Sequence, residues 1–267
     1  MSGVRDEDVL RIKSSEKKRF MDSVAIEQPI SIMVENYEKE RFSLGITMRT
    51  PGNDKDLVTG FLFSESVIKS CSDIESMSLS VEEVIVKLNK NVIFDPDQHR
   101  RQSTKTSACG ICGKEKITLS NHNHSIDLVK NCIKSNTIIA ASEILKSNQE
   151  IFDLTGGSHA AGLFSFQGEL LLIREDIGRH NAMDKLIGAT ICDRNNQQLN
   201  GFVFLSGRAS FELVQKAVIM GIPVLAAVGA PSSLAVDLAR ENNLTLIAFV
   251  KKERITVYSA PSRISIN

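Results

Sequence analysis

Tryptophan is absent from this 267-residue chain, and tyrosine occurs only twice. This scarcity argues against an aromatic platform of the kind on which single-stranded nucleic acids stack. An excess of charge of one sign is also missing, because 32 basic residues balance 32 acidic ones. The overall charge therefore gives no reason to expect a nucleic acid or a membrane surface as a partner, and we expect neither.

Long hydrophobic runs are missing as well. No stretch reaches the roughly 18 consecutive apolar residues that a membrane helix needs. Residues 1–20 are dense in charge of both signs and lack the apolar core of a secretory signal. The five cysteines are an odd number with one close pair, which fits a reducing cytoplasm better than a secreted disulfide framework. We expect a cytoplasmic protein in which Cys71, Cys132 and Cys192 are small buried residues.

Composition and periodicity divide the chain into four segments. Residues 1–23 are predicted to be a charged, loose arm, and residues 24–95 a small α+β domain. Residues 96–140 are predicted to be a linker, because they are largely polar and show little periodicity. A long irregular segment in a compact protein is usually functional or disordered. Residues 141–267 are predicted to be an α/β domain.

The small domain shows the period-two apolar pattern of strands. Val24–Val34 contains Pro29, which is typical of an edge strand, and Arg41–Arg49 is predicted to be its partner. Asn53 is predicted to cap a helix that runs from Asp54 to about Ser66. Two further strands are predicted at Ile74–Leu79 and Val84–Leu88.

The second half changes to continuous apolar runs between amphipathic helices. Ser142 is predicted to cap a helix that runs to Leu154 and stops at Gly156 and Gly157. The predicted hairpin strands are Ala161–Phe166 and Glu169–Arg174, the helices are Arg179–Cys192, Phe211–Met220 and Ser232–Glu241, and the other strands are Phe202–Leu205, Pro223–Val228 and Leu244–Val250. This alternation indicates parallel strands covered on both faces, so we predict a three-layer α/β/α sandwich.

A pair of closely spaced cysteines lies in the predicted linker. Cys109 and Cys112 have Gly110 and Gly113 directly after them. Glycine lowers the crowding around a sulfur atom that must meet another molecule. Five lysines and arginines surround the pair, and neighbouring cations favour the reactive thiolate over the thiol. The pattern predicts a reactive sulfur centre on a basic loop.

Three chemistries are open for this cysteine pair. A zinc site would take His122 and His124 as further ligands, although their spacing is tighter than usual and the chain has no second close cysteine pair. Dithiol redox chemistry is a second possibility, but the flanking pattern is not the strand followed by a helix of thioredoxin-like sites. The third is sulfur relay, in which one thiolate accepts a sulfane sulfur and a second thiol assists.

Three predicted strand ends carry glycine and polar residues at the start of a helix. They are Arg174–Asn181, Ser206–Ser210 and Gly229–Ser233. Ligands of open α/β sheets bind at the carboxyl ends of the strands, and the free N–H groups of helix starts bind anions. The sequence therefore predicts a pocket for a phosphate-bearing ligand. Helix capping is nevertheless the first explanation for Ser210 and Ser232.

His159 opens the first strand of the predicted hairpin, directly after two glycines and a serine. A histidine at such a junction is either a structural hydrogen bonder or a ligand-binding group, and both interpretations stay open here. Arg179 and His180 follow the second hairpin strand and are expected at the same edge of the sheet.

Several long motifs together are recognisable. They are Thr106–Lys114, Thr155–Ala161, Arg174–Lys185 and Ser206–Glu212, with shorter matches at Gly221–Leu225 and Ala230–Ala235. These motifs closely resemble the FdhD family, sulfur carrier proteins that active formate dehydrogenase requires, and the resemblance runs from about Val24 to the C-terminus. It implies a cytidine-deaminase-like fold for the second domain. No glutamate follows His159 as His-x-Glu would require, so the zinc site and the proton shuttle of a true deaminase are not expected.

The resemblance implies a sulfurtransferase that takes sulfur from a cysteine desulfurase. The acceptor would be the molybdenum (or tungsten) bis-molybdopterin guanine dinucleotide cofactor of formate dehydrogenase, whose apoprotein is a further expected partner. Cys109 would bear the persulfide and Cys112 would assist. A homodimer is also expected from the family.

The resemblance also points to Phe249–Arg254 as a cofactor-binding last strand. Its members are Phe249, Val250, Lys251, Lys252, Glu253 and Arg254. The cations in this segment are equally consistent with a solvated strand end. The other predicted cofactor-binding residues are His159, Arg174, Arg179, His180, Ser206, Gly207, Arg208 and Ser232. The cofactor is expected as a bound substrate, and no resident metal is expected.

Two alternatives remain beside sulfur transfer. A chaperone that only binds the cofactor would share every feature except the need for a thiolate. A zinc-binding module would use Cys109, Cys112, His122 and His124. A nucleotide hydrolase or deaminase is disfavoured because the glutamate after His159 is missing.

Overall fold

A computed structural model describes residues 3–96, 132–193 and 201–266. The first strands are β1 Val4–Lys13, β2 Glu16–Ala25, β3 Gln28–Glu35, β4 Arg41–Arg49, β5 Ile74–Leu79 and β6 Glu83–Leu88, and the later ones are β7 Ile133–Lys134, β8 His159–Ser165, β9 Leu170–Asp176, β10 Gly201–Leu205, β11 Val224–Ala227, β12 Thr245–Lys251, β13 Arg254–Val257 and β14 Ile264–Ser265. The helices are α1 Asp54–Ser64, α2 Ser135–Ser147, α3 Glu150–Thr155, α4 Arg179–Cys192, α5 Phe211–Met220 and α6 Ser233–Glu241. None of these helices is both long enough and apolar enough to cross a membrane.

Strands β1 and β2 pair along their whole lengths as an antiparallel hairpin. The expectation of a loose arm was therefore wrong for residues 4–23. Cross-strand contacts give the physical reason, because opposite charges and aromatic–cation pairs stabilise facing strands. The Arg19 guanidinium lies 2.8 Å from the Asp8 carboxylate, and the Arg11 guanidinium lies 4.0 Å from the centre of the Phe20 ring.

The second sheet has the strand order β4-β3-β6-β5. The predicted bounds of β4 and β5 are confirmed. Strand β3 lies inside the sheet, so its prediction as an edge strand was wrong. Pro29 is tolerated there because the parallel pairing with β6 begins only at Ser31, beyond the position where proline lacks its N–H. Asn53 precedes α1 as predicted, but its backbone is left-handed and its side chain makes no capping hydrogen bond.

The large sheet has the order β13-β12-β11-β10-β8-β9. Strands β10, β11 and β12 are mutually parallel, as predicted, whereas β8, β9 and β13 run antiparallel to their neighbours. Phe202 and Phe204 of β10 pack in the same apolar cluster as Leu145 of α2. Val203 and Leu205 pack in a second cluster with residues of α4, α5 and α6. The three-layer α/β/α architecture is therefore confirmed.

The helix predicted from Ser142 to Leu154 is in fact two helices. Helix α2 begins earlier, at Ser135, and ends where the Asn148 side chain donates to the Ile144 carbonyl over 2.8 Å. The start of α3 is held by Glu175, whose carboxylate accepts from two of its backbone N–H groups. Because β7 and α2 occupy residues 133–140, the linker prediction was wrong for that part. The division into domains otherwise stays a prediction.

We call the described residues 3–96 the N-terminal unit. Apolar side chains of this unit and of the large sheet pack in one continuous cluster. Helices α1 and α4 cross at their glycines with almost no space between the backbones. A Cβ atom on Gly60 would overlap the carbonyl oxygen of Asp184, and a Cβ atom on Gly188 would overlap that of Asp56. This crossing fixes α4, which begins at the carboxyl edge of the large sheet, against the N-terminal unit.

A disulfide joins Cys71 and Cys192 across 121 residues of sequence. Both cysteines are half-buried, and Cys132 is an exposed free thiol. The expectation that all three are small buried residues was therefore wrong. Spacing along the chain could not reveal this pair, because the two cysteines meet only after α4 packs on the N-terminal unit. The bond adds a covalent tie to the helix crossing, of a kind that restricts the unfolded chain.

Replacing Gly60 by alanine tests the helix crossing. The added methyl group must displace backbone, so we expect Gly60→Ala to lower the free energy of unfolding by about 3 kcal/mol, the upper range for overpacking. Chemical denaturation under oxidising conditions measures it. Gly157→Ala is the matched control, because its Cβ atom would make only ordinary contacts of 3.4 Å and beyond. Equal effects of the two substitutions would contradict the close crossing.

Candidate functional site

The carboxyl ends of β9, β10, β11 and β12 meet at one edge of the large sheet. Strand β9 points the same way as β10 because each is antiparallel to β8, which lies between them. His159, at the start of β8, therefore lies at this edge opposite Asp176. We call this region the strand-end site. It contains the three strand ends that the sequence singled out.

Backbone hydrogen bonds join the loops of the strand-end site to one another. The Gly229 N–H donates to the Gly207 carbonyl over 2.9 Å, and the Ser232 N–H donates to the Ala209 carbonyl over 3.1 Å. Gly207 also lies against the His159 ring, since a Cβ atom there would lie 3.2 Å from Nδ1. A larger residue at Gly207 would therefore push on the imidazole.

His159 is half-buried in the strand-end site. Burial lowers the pKa of its imidazole, and the nearby Arg179 guanidinium lowers it further. Asp176 acts in the opposite direction, while Arg208 adds to the lowering of the pKa. Beyond the effect of burial, the two arginines contribute positive potential at this ring, and Asp176 offsets part of it. Such a potential favours an anionic ligand.

His180 is buried beside the start of α5. Its Nε2 lies 3.1 Å from the Ser210 hydroxyl and 4.0 Å from the Glu212 carboxylate. Ser210 stands at the helix start, but its side chain makes no capping bond, so the capping explanation was wrong for its hydroxyl. These contacts give the His180 ring a defined orientation. The ring is buried between the start of α4 and the start of α5, at one side of the strand-end site.

A buried ion cluster continues from Glu212 into the helix layer. The Lys216 ammonium lies 3.6 Å from Glu212 and 2.8 Å from Asp184. Burial works against the charge on Lys216, but Asp184 and then Glu212 outweigh it, so the pKa of Lys216 is raised. Asp184 also accepts from the Ser64 hydroxyl of α1 over 2.9 Å. The cluster thereby connects the wall of the strand-end site to the N-terminal unit.

Three of the predicted ligand-binding side chains have structural partners. Arg174 pairs with Asp56 of α1 at 2.8 Å. The Ser206 hydroxyl accepts from the Ala160 N–H at 2.8 Å, and the Ser232 hydroxyl caps α6 by accepting from the Ala235 N–H. The capping explanation is confirmed for Ser232. Arg208, in contrast, is exposed to solvent.

The segment Phe249–Arg254 is a hairpin rather than the predicted last strand, because it contains the end of β12, a turn and the start of β13. Phe249 has a left-handed backbone, with φ of 52°, and its N–H donates to the Gly229 carbonyl over 3.3 Å. Val250 is buried, whereas the four residues after it are exposed. They are Lys251, Lys252, Glu253 and Arg254. The hairpin thus places an aromatic ring and three cations next to the strand-end site.

Sequence reasoning gave no role to Asp176 and Lys185, which form the buried anchor of the site. Their charged groups lie 2.8 Å apart and are almost completely buried. Asp176 also accepts from the backbone N–H groups of Thr50 and Gly178, over 3.1 and 2.9 Å. A signal was present in the sequence, because a lysine among the apolar residues of a helix needs a buried anionic partner.

The predicted sulfur chemistry falls on Cys109 and Cys112, which lie outside the described residues, as do His122 and His124 of the zinc alternative. Within residues 3–96, 132–193 and 201–266, no group of three or more histidine, cysteine, aspartate or glutamate side chains is arranged to hold a metal ion.

Fold and site together define a three-layer α/β protein with a cationic site at the carboxyl edge of its sheet. The FdhD/NarQ family model matches residues 25–265, and the chain belongs to that family. It is 39% identical over 266 residues to the sulfur carrier protein FdhD of Sulfolobus acidocaldarius, covering 98% of this chain and 99% of the relative. It is 40% identical over 264 residues to the sulfur carrier protein FdhD of Nocardia farcinica, covering 96% and 93%.

A crystal structure from Desulfotalea psychrophila has the same fold. Its protein is provisionally described as a formate dehydrogenase accessory protein. The two structures superpose with a TM-score of 0.75 at 24% identity, covering 98% of this chain and the whole of the other. This likeness supports the fold described above, which includes the four-stranded sheet and the six-stranded large sheet.

The titration of His159 tests the electrostatics of the strand-end site. We expect an imidazole pKa below the ordinary value of 6.5. Arg179→Gln should raise the pKa more than Arg208→Gln, because Arg179 has the larger effect on the ring. NMR of the imidazole C–H resonances measures each value, with His159→Gln to assign them. An unchanged pKa in Arg179→Gln would contradict the described geometry.

Proposed function

We propose that this chain is a sulfur carrier for the maturation of formate dehydrogenase. The relatives from Sulfolobus acidocaldarius and Nocardia farcinica are both called sulfur carrier proteins, and the matches extend over nearly the whole of both chains. The proposal assigns the chain a sulfurtransferase activity, with a cysteine desulfurase as donor and the molybdenum (or tungsten) bis-molybdopterin guanine dinucleotide cofactor as acceptor. The formate dehydrogenase apoprotein then receives the sulfurated cofactor.

The two arginines that lie near enough to His159 to affect its pKa are the observation that carries the cofactor proposal. The cofactor is a polyanion because each guanine dinucleotide end contains a pyrophosphate. Arg179 and Arg208 both depress the pKa of His159, so a phosphate group placed between them would meet a favourable potential. The cationic tip of the β12–β13 hairpin extends this potential along the sheet edge.

We assign the predicted cofactor ligands two different roles. Arg208 is exposed, and we assign it, with Arg179 and the hairpin cations, to phosphate binding. Phe249 is about one-third exposed beside Gly229, so its ring is available to a guanine base. Arg174, Ser206 and Ser232 would instead act by maintaining the edge on which the cofactor lies.

Cysteine chemistry supplies the transfer in this proposal. The Cys109 thiolate attacks the outer sulfur of the donor persulfide, which leaves a persulfide on Cys109 and a thiolate on the donor. The Cys112 thiolate then attacks the inner sulfur, forming a Cys109–Cys112 disulfide and releasing the outer sulfur as sulfide. The two thiolates provide the two electrons that reduce sulfane sulfur to sulfide, and a cellular thiol reductant restores the pair.

Mass spectrometry of the whole chain tests the carrier role. Soon after incubation with a cysteine desulfurase and cysteine, before Cys112 resolves the persulfide, we expect the wild-type chain to gain the mass of added sulfur, removable by a thiol reductant. Cys109→Ala should lose this gain, because it lacks the accepting thiolate. Cys112→Ala should still form the persulfide on Cys109 and should accumulate more of it than the wild type, because the thiolate that resolves it is missing.

Cys132→Ala is the matched control for this experiment. Cys132 is an exposed free thiol in the described part of the chain. If the desulfurase transferred sulfur to any exposed thiol, removing Cys132 would reduce the amount of sulfur that the chain carries. We expect Cys132→Ala to carry sulfur like the wild type and to activate formate dehydrogenase equally. If Cys109→Ala still carries sulfur and supports full dehydrogenase activity, the assignment of Cys109 is wrong. Full dehydrogenase activity in Cys109→Ala without any sulfur on the chain would instead favour a chaperone that only binds the cofactor.

A further inference from the structure

A buried arginine lies at the opposite edge of the large sheet from the strand-end site. Arg263 follows β13 and precedes β14, and only 4% of its surface is accessible. Its guanidinium contacts Thr245, the first residue of β12. Because β12 has 7 residues, this position is roughly 20 Å along the strand from the strand-end site. The proposed sulfur transfer gives Arg263 no role.

One nitrogen of the Arg263 guanidinium has a structural role. Its Nη1 donates to the Asn243 carbonyl over 2.8 Å and to the Thr245 hydroxyl over 3.1 Å. The Thr245 hydroxyl donates in turn to the Ala260 carbonyl over 2.8 Å, so its position is fixed. These bonds join the turn after α6 to the start of β12, and they use only one of the three guanidinium nitrogens.

The other two nitrogens of Arg263 form one complete edge of the guanidinium. Nε and Nη2 are both buried, and neither makes a hydrogen bond to the described residues. Because the guanidinium is planar, their N–H groups lie side by side in a fixed fork. Proteins pair nearly all of their buried polar groups with protein, water or an ion. A fork of this shape fits the two oxygens of a carboxylate.

The charge of Arg263 has no counter-charge among the described residues. Burial lowers the pKa of its guanidinium, and no carboxylate in that part of the chain acts against this effect. The buried Lys185 and Lys216 differ, because each lies 2.8 Å from a buried aspartate. Since buried charges are normally paired, the fork is expected to hold an anion. A carboxylate balances the single charge of Arg263, whereas a phosphate group brings about 1.5 to 2 negative charges at pH 7.

We propose that Arg263 is the centre of a second binding site, which takes the carboxylate group of a small molecule. The two carboxylate oxygens accept from Nε and Nη2, while Nη1 keeps its bonds to Asn243 and Thr245. The site is preorganised, because those bonds hold the guanidinium and the pairing of Ile264 with Ile133 holds the neighbouring backbone. The burial of the guanidinium favours the smallest carboxylates, formate and acetate, over a side chain of a folded partner. This binding is independent of the sulfur chemistry.

NMR of the arginine side chains in the full chain tests this site directly. The Arg263 Nε–H resonance is assigned through its bonded connection to the backbone. We expect sodium formate and sodium acetate to shift this resonance to saturation, because a bound carboxylate oxygen accepts from Nε. Sodium chloride and sodium phosphate at the same ionic strength should shift it much less. A chloride ion has no second acceptor atom for Nη2, and phosphate brings excess negative charge.

Thermal unfolding in formate gives a second measure of affinity, because a ligand of the folded state raises the melting temperature. Arg263→Lys should bind formate about tenfold more weakly than the wild type, since lysine keeps the charge but loses one of the two charge-assisted hydrogen bonds. Arg240→Lys is the matched control, with the same substitution at an exposed position of α6. It should respond to formate like the wild type.

The titration of the wild type decides the proposal even if Arg263→Lys folds poorly. An Arg263 resonance that responds to neither formate nor acetate would overturn it and would leave buried water as the partner of the fork. Equal shifts with chloride would also overturn it, because they would indicate only general screening by anions. So would an Arg263→Lys variant that formate stabilises as strongly as the wild type.

Discussion

The buried ion pair between Asp176 and Lys185 is the interaction on which the position of the strand-end site depends. Asp176 ends β9, Lys185 lies on α4, and both bond to Thr50, in the loop after β4. One pair therefore joins the large sheet, the helix that follows it and the N-terminal unit. Losing one partner would leave an uncompensated buried charge, at a cost of about 3–5 kcal/mol. The glycine crossing of α1 and α4 brings the same elements into contact.

The site residues follow from this junction. His159 pairs with Asp176 across the β8–β9 hairpin, and Arg179 begins the helix that Lys185 anchors. Arg179, the cation with the larger effect on the pKa of His159, thus begins a helix that this anchor holds, whereas Arg208 lies in the loop after β10. A fixed positive potential suits a polyanionic cargo, because the charges need no rearrangement on binding. The cysteines proposed to carry sulfur, Cys109 and Cys112, belong to another segment of the chain, outside the described residues.

Local patterns predicted most of the elements of the large sheet and its helices. The bounds of α4 and α5 agree with their apolar spacing, because these helices bury wide apolar faces. The hairpin β1–β2 was missed because its strands carry charge on both faces and little core. Pro29 suggested an edge strand, since proline alone cannot show that the neighbouring strand starts two residues later.

The candidate site was predictable in composition but not in detail. Polar residues after apolar strands indicated that these strand ends meet at one edge of the sheet, because the ends of parallel strands lie together, and the structure brings them to one edge. Whether a serine hydroxyl is available to a ligand depends on its tertiary contacts, which the local sequence does not show. Ser210 bonds to His180 and Ser206 bonds to the β8 backbone, and neither contact has a local sequence signal. The disulfide between Cys71 and Cys192 was hidden for the same reason.

The most direct measurement of the central claim is the pKa of His159 with and without guanosine diphosphate, a soluble part of the cofactor. Burial is the largest cause of the lowered pKa, and Arg179 and Arg208 lower it further. Phosphate groups bound near these arginines would offset their part of the lowering. Saturating guanosine diphosphate is expected to raise the pKa of His159 toward its ordinary value, whereas guanosine, which lacks phosphate, should leave it unchanged. An unchanged pKa at saturating guanosine diphosphate would contradict the assignment of the strand-end site to the cofactor.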